Sequence, residues 1–448
     1  MKDLTKGSPL KLILQFAFPV CMGNIFQLFY NLADTRIVGS YIGKNALAAV
    51  GSTNSLNSMI IGFLLGMTNG FAIIVSRYFG AKKYEDMKKA VAATFELGII
   101  VSFLFTIISV VFLENILVLL NTPDNIVGMA SDYFTIILIG MTASMLYNVC
   151  SGILRAIGDS VTPLCFLVGS TVCNVGLDLL FINVFRLGVK GAAYATVISQ
   201  ILSFVLCMVY MWIKYPILRI GRKDFIISGK LVKEMSATGF SMGFMLSLIN
   251  IGSVALQTCI NSFGENIIIA HTAARKITDV FMLPFTVFGT TMATYCGQNL
   301  GAGEYGRIRQ GVKIVLFITW GWCILVIIAS YTIAPYLVYM VTGNSDKEVL
   351  NTAELYLKVD TVPYFVCTLI CILRNVMQGI GDSITPIISS AIELITKVAV
   401  AILLAPYMGY MAIILAEPVS WVLMVIPILW KLGRNPIFVK AKELSVNE

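Results

Sequence analysis

Asn24, Gln27, Asn31 and Asp34 follow one another at intervals of three, four and three, the spacing that lines side chains along one face of an α-helix. The residues between them are apolar, so this face is a polar stripe on an otherwise greasy element. Asn174 and Asp178 stand one helical turn apart, and Thr196 follows in the next apolar run. Two carboxylates close together in a partly desolvated place repel each other, which favours protonation of one or capture of a cation between them. No lysine lies in the apolar runs of this half to neutralise Asp34 or Asp178, so a functional role is the preferred reading for both. Arg36 is two residues from Asp34 and falls on a different helix face. For Asn24, Gln27 and Asn174, hydrogen bonding between helices is an equal reading.

The second half carries charges of its own. Glu393 and Lys397 are one turn apart, Glu417 precedes Pro418, and Arg275 is one turn before Asp279. A self-neutralised structural pair is the better reading for Glu393 with Lys397 and for Arg275 with Asp279. For Glu417, binding a substrate cation and pairing with Lys397 stand level. Glu96 and Asp360 are isolated acids with no partner assigned. The sequence has one histidine, His271, which leaves almost nothing for a His-based catalyst or metallohydrolase. Its ten cysteines lie in apolar runs without CxxC spacing, which argues against a disulfide framework or a zinc site, and Cys367 and Cys371 read as packing. No GxxxxGK[ST] segment is present, so nothing points to ATP. The expectation is a protein that is not an enzyme and has no cofactor.

These residues need a scaffold, and composition names its solvent. Of 448 residues, 58% are hydrophobic and 12% charged, half the charge of an ordinary soluble domain. The apolar residues come in runs of about twenty or more, as a bilayer core of about 30 Å requires of a helix. Twelve spans are expected, near 12–38, 46–76, 90–113, 126–154, 161–184, 191–213, 236–262, 267–298, 312–338, 352–378, 384–406 and 410–430. The first begins after Lys11 and runs well past Val20 without a small-residue cleavage pattern, so it is expected to be a spanning helix and not a cleavable signal peptide. Pro19 removes a backbone hydrogen bond in that span and marks a candidate hinge. Lysine and arginine cluster in alternate loops, from Arg77 to Lys89, from Lys214 to Lys233 and in the tail with Lys440 and Lys442. The opposite loops hold Lys44, Arg186, Lys190, Lys347 and Lys358. Positive charge stays in the cytoplasm, so both termini are expected inside, in a multi-pass protein of the inner (cytoplasmic) membrane. The net charge of +8 then answers to anionic headgroups and not to nucleic acid. In this orientation Asp34, Asp178 and Thr196 all sit within about two turns, roughly 5–11 Å, of the outer boundary. One cluster is expected from that shared depth.

The chain also repeats itself. AIGDSVTP, from Ala156 to Pro163, returns as GIGDSITP from Gly379 to Pro386, and Gly80-Ala81 with Tyr84 returns as Gly301-Ala302 with Tyr305. Six spans per copy is an even number, so both copies enter the membrane in the same direction, related by a pseudo-twofold along the membrane normal. The expected organisation is an all-α integral membrane protein of two six-helix bundles: 1–215 as the N-terminal lobe, 216–234 as a basic linker, 235–435 as the C-terminal lobe and 436–448 as a tail. The copies differ where charge matters. Asp34 maps to Ala255, Asn174 to Lys397, Asp178 to Ala401 and Thr196 to Glu417.

At this point the pattern resembles a known family. Asp34-Thr35 followed by Val38-Gly39, GAKKYEDMKKAV from Gly80, RAIGDSVTP from Arg155, GVKGAAYATVISQ from Gly188 and AEPVSW from Ala416 are similar, in order and spacing, to multidrug and toxin extrusion (MATE) transporters of the MOP superfamily. The resemblance covers nearly the whole chain. It implies secondary active efflux of small organic, cationic molecules in exchange for H⁺ or Na⁺ by alternating access, from a monomer in the lipid bilayer. Within the family the DinF-like branch is the better match. That match implies coupling-ion or substrate binding by Asp34, Asn174, Asp178 and Thr196, with Na⁺ at Asp34 and Asp178 as the one metal ion implied. Gln27 and Asn31 extend the stripe beside them, and Glu417, Lys397 and Glu393 form a candidate C-lobe substrate site. A sodium-binding acid in span seven, as in the NorM branch, is missing here. The rival readings are a lipid-linked oligosaccharide flippase of the same superfamily, favoured by Arg275, Lys276, Arg374 and Lys397, and a membrane sensor that transports nothing.

Overall fold

The computed structural model describes residues 2–119, 122–343 and 346–438, and Lys440 and Lys442 of the tail lie outside them. The described residues form helices and no strands. In hydrocarbon a backbone must satisfy its own polar groups, and a helix does this within one segment. The helices are α1 (Pro9–Tyr41), α2 (Lys44–Gly80), α3 (Tyr84–Val111), α4 (Leu113–Leu119), α5 (Asp124–Ile139), α6 (Met141–Ala156), α7 (Val161–Asp178) and α8 (Val189–Lys214). After two short 3₁₀ turns come α9 (Gly229–Ile260), α10 (Glu265–Ala302), α11 (Tyr305–Thr332), α12 (Ala334–Thr342), α13 (Lys347–Thr361), α14 (Tyr364–Gly379), α15 (Ile384–Ala399), α16 (Ala405–Met408) and α17 (Tyr410–Arg434). Among the described residues ten helices are long and apolar enough to cross a membrane, and counting each of the bent pairs α5–α6 and α13–α14 as one span brings the number to twelve. The chain is a multi-pass membrane protein.

Two expected spans are not continuous. The fourth, expected over 126–154, bends by 45° between α5 and α6, and the tenth, expected over 352–378, bends by 58° between α13 and α14. Pro363 supplies the second break because it lacks an N–H and its ring crowds the preceding turn. At the first break, a Cβ on Gly140 would meet Val197 Cγ2 of α8 at 2.2 Å, so only glycine lets the corner sit that close. α1, in contrast, continues through Pro19 without interruption. α9 starts at Gly229, several residues before the span expected from 236.

The repeat appears in local geometry as well as in letters. The α6–α7 and α14–α15 turns carry Gly158 at φ +82° and Gly381 at φ +100°. In the first, Asp159 Oδ1 accepts from the Thr162 backbone N–H at 3.0 Å and Oδ2 from the Thr162 hydroxyl at 2.6 Å. Asp382 makes the same two bonds to Thr385, at 3.0 and 2.7 Å. Asp159 has an additional donor, the Tyr215 hydroxyl at 2.6 Å. Burial works to raise the Asp159 carboxyl, but hydrogen bonds from Thr162 and Tyr215 outweigh it and hold it below the usual carboxylate range. Burial, then the bond to Asp159, pushes the Tyr215 phenol up. An acid held low contributes fully above its unfolded value of about 3.9. It loses that contribution only as pH falls through its lower folded value, so this turn is insensitive to pH near neutrality. A π-helical segment follows each equivalent span, at Leu179–Val184 and at Val400–Leu404.

The chain divides into two compact units. The first comprises residues up to Leu4 and Leu14–Gly243; the second comprises Thr5–Ile13 and the residues from Phe244 onward. The first has a core that includes Phe71, Met87, Phe134, Cys150 and Ile153. The second packs Ala270, Ala274, Tyr356, Leu357 and Ile414 in one cluster, and Leu256, Ile260, Ala412 and Ala416 in another. Lipid tails are as apolar as leucine, so helix association rests on close approach between small residues. A Cβ on Gly379 of α14 would lie 2.9 Å from the Ala293 carbonyl of α10. Large apolar side chains such as Phe103, Phe317 and Ile395 point outward, as a lipid-facing surface requires.

Candidate functional site

In the first unit, α7 places Asn174 and Asp178 one turn apart, both with no exposed surface. The Asn174 amide orients itself by its neighbours. With its nitrogen toward α7 it donates to Asp178 Oδ2 at 3.1 Å, and its oxygen accepts from the Thr196 backbone N–H of α8 at 3.2 Å. The reverse orientation would set oxygen against carboxylate. The Thr196 hydroxyl donates to the Ala192 carbonyl at 3.1 Å. Asp34 of α1 lies close enough to Asp178 for the two charges to act on each other. Asp34 Oδ1 and Asp178 Oδ1 are buried and have no hydrogen-bond partner among the described residues, and neither acid is in an ion pair there. The structure therefore brings together Asp34, Asn174, Asp178 and Thr196 from three helices.

The rest of the stripe stays apart. Asn24, Gln27 and Asn31 are exposed, and Gln27 Nε2 donates to Asn31 Oδ1 at 3.4 Å along α1 itself. Toward the end of α1 the polar face turns inward at Asp34. Two tyrosines that the sequence reading left out complete the surroundings. Tyr30, one turn before Asp34, lies beside Thr196, and Tyr133 of α5 lies within the field of both acids. Tyr30 was findable from its i−4 spacing to Asp34. Tyr133 carried no local signal, because α5 reaches the site only through the tertiary fold.

The second unit joins its charges in a chain. Arg275 Nη1 of α10 meets Glu417 Oε1 of α17 at 2.7 Å, the same oxygen lies 3.3 Å from Lys397 Nζ of α15, and Lys397 Nζ also reaches Glu393 Oε1 at 2.9 Å. Arg374 Nη2 of α14 closes the series on Glu393 Oε2 at 3.0 Å. The expected pairing of Arg275 with Asp279 is corrected: Glu417 takes the guanidinium, since α17 presents a buried acid to it whereas Asp279 is exposed. Glu393 and Lys397 pair along α15, but each also has a partner on another helix, which spacing within one helix could not reveal. Asp360 is fully buried; its Oδ2 accepts from the Tyr364 hydroxyl at 3.2 Å, while Oδ1 has no partner among the described residues. Glu96 remains without a hydrogen bond or ion pair among the described residues.

The duplicated scaffold thus sets the same two helix positions in contact in each unit. They are occupied by Asn174 and Thr196 in one and by Lys397 and Glu417 in the other. The first unit leaves two acids without cations among the described residues; the second gives both of its shared acids two cations each.

A model of the family described as MatE matches this chain twice, over residues 19–180 and 241–403, which is the internal repeat found again. Probable multidrug resistance protein YpnP of Bacillus subtilis (strain 168) is 31% identical over 308 residues, covering 68% of this chain and 68% of that protein. Probable multidrug resistance protein YoeA of the same strain is 26% identical over 400 residues, 88% of this chain and 86% of that one. A solved outward-facing structure of a multidrug resistance MATE family transporter of the MOP superfamily superposes with a TM-score of 0.87 at 23% identity, covering 96% of this chain and 97% of the other. With its duplicated helical units, its double family match and its similarity to YpnP, the chain belongs to the MATE (MatE) family of membrane transporters.

Proposed function

We propose that this protein is a secondary active multidrug exporter that exchanges organic, cationic substrates for H⁺ or Na⁺. The observation that carries this reading is the pair Asp34 and Asp178, two carboxylates each with one buried oxygen lacking a hydrogen-bond partner among the described residues. A proton, a sodium ion or a cationic substrate relieves their repulsion, and a ligand drives export only through its differential affinity for two access states. Asn174 holds one oxygen of Asp178, and Thr196 and Tyr30 line the same place. The names of YpnP and YoeA support multidrug resistance as the physiological role. The acidic set in the first unit favours the DinF-like branch. The lysine and arginine distribution favours cytoplasmic termini in the cell membrane, and Pro19 is the candidate bending point of α1. A cation at Glu417 is disfavoured, because Arg275 and Lys397 already neutralise it.

The test is efflux of a fluorescent organic cation from proteoliposomes holding the full chain, with pH and sodium gradients imposed separately. One gradient should drive efflux, and collapsing it should stop efflux. Efflux that needs neither gradient, or no flux at all from folded protein, contradicts the reading; the latter is also what a sensor would give.

A further inference from the structure

The second unit contains a cavity of about 210 Å³ between α9, α10, α13 and α17. Its charged wall is made by Arg275, Lys276 and Glu417, with uncharged polar side chains such as Gln257 and His271 beside them, and Leu256 and Ile413 supply apolar wall. We propose that this cavity binds the carboxylate of a small aromatic or apolar acid, with Arg275 as its anchor.

The sign of the site follows from what surrounds its acid. Glu417 is the one carboxylate in the wall, and it is held by Arg275 at 2.7 Å and Lys397 at 3.3 Å. Lys397 is in turn shared with Glu393, which also holds Arg374. Lys276 stands in the wall with no ion pair among the described residues and adds a second positive charge facing the space. The remaining acids of this region are elsewhere: Asp279 is exposed and outside the wall, and Asp360 is buried with Tyr364. His271 turns its Nδ1 to the Tyr410 hydroxyl at 3.1 Å and its ring edge-on to Tyr356.

Arg275 has capacity to spare. A guanidinium carries five N–H donors in a planar fork suited to bidentate contact with a carboxylate; Glu417 occupies Nη1 and Tyr356 lies against the same group, which still leaves donors for a ligand. The Arg275 side chain is 29% exposed, against 9% for Glu417, so the cation and not the acid presents itself to the space. Pockets for whole drug-sized molecules run to about 300–1,000 Å³, so this one suits an acid group with a single ring or short apolar chain. The repeat gives an independent reason. Tyr356 and Glu417 stand where Tyr133 and Thr196 stand in the first unit, and Asp34 is replaced by Ala255. The same helix positions that frame two unpaired acids in one unit frame a guanidinium in the other.

The experiment needs no gradient and so is separate from the transport reading. The full chain, purified in detergent, is titrated with 4-fluorobenzoate and, as the matched cation, with 4-fluorobenzylammonium, followed by ¹⁹F NMR line broadening. Saturable binding of the benzoate is expected, without competition from the ammonium. Arg275→Gln should weaken it about tenfold or more. Glu417→Gln, which frees the guanidinium from its acid, should tighten it several-fold, and Lys276→Gln should weaken it a few-fold. If Arg275→Gln is not recovered folded, the opposite signs of the other two variants carry the test. Absent saturable binding, displacement by the ammonium, unchanged affinity in folded Arg275→Gln, or weaker binding in Glu417→Gln would each overturn the proposal.

Discussion

At the scale of single residues, the two units show what a buried charge does with and without a partner. Glu393 is shared by Lys397 at 2.9 Å and Arg374 at 3.0 Å, and both cations are almost fully buried. Removing one member of such a set strands the others in a medium that solvates them poorly, at a cost of about 3–5 kcal/mol. Glu393→Gln is therefore expected to lower thermal stability in detergent clearly. Glu417→Gln should lower it less, since Lys397 keeps Glu393 and Arg275 is partly open to its cavity. Equal melting temperatures for the two variants would show that the ion-pair chain does not distribute its load this way. Asp34 and Asp178 were legible in the sequence as unpaired acids because no lysine shares their spans. Arg275 was misjudged, since an i,i+4 acid on its own helix cannot be ranked against an acid on another helix from spacing alone.

At the scale of elements, the length, number and order of the spans were legible because a bilayer sets one length and loop charge marks the ends. The breaks at Gly140 and Pro363 were not. Glycine and proline are common in transmembrane helices, and Pro19 sits in an unbroken α1 while Pro363 ends a helix. Only the neighbours decide, as Val197 does against Gly140. The π-helical segments after α7 and α15 likewise left no mark in the apolar pattern. α1 is thinly packed, with 22% of its apolar window buried, and Pro19 lacks the backbone donor that would stiffen it. If bending at Pro19 is a step of transport, Pro19→Ala should restore a hydrogen bond worth up to about 3 kcal/mol of helix propensity. Thermal stability should then be kept or raised while efflux slows several-fold. Wild-type efflux with a stiffened α1 would remove the hinge from the mechanism.

At the scale of the whole chain, duplication made two units from one plan, and later substitution gave them different electrostatics. The repeated turns with Asp159 and Asp382, the paired breaks and the paired π segments show how closely the scaffold was copied. The contact of Asn174 with Thr196 against that of Lys397 with Glu417 shows where it was not. The proposed division assigns coupling to the first unit, where acids remain unpaired. The direct measurement is gradient-driven efflux by Asp34→Asn and Asp178→Asn in proteoliposomes, with melting temperature in detergent recorded on the same preparations. Both variants are expected to fold, to melt at or above the wild-type temperature because a costly buried charge is gone, and to lose gradient-driven efflux. Wild-type efflux in both folded variants would contradict the account.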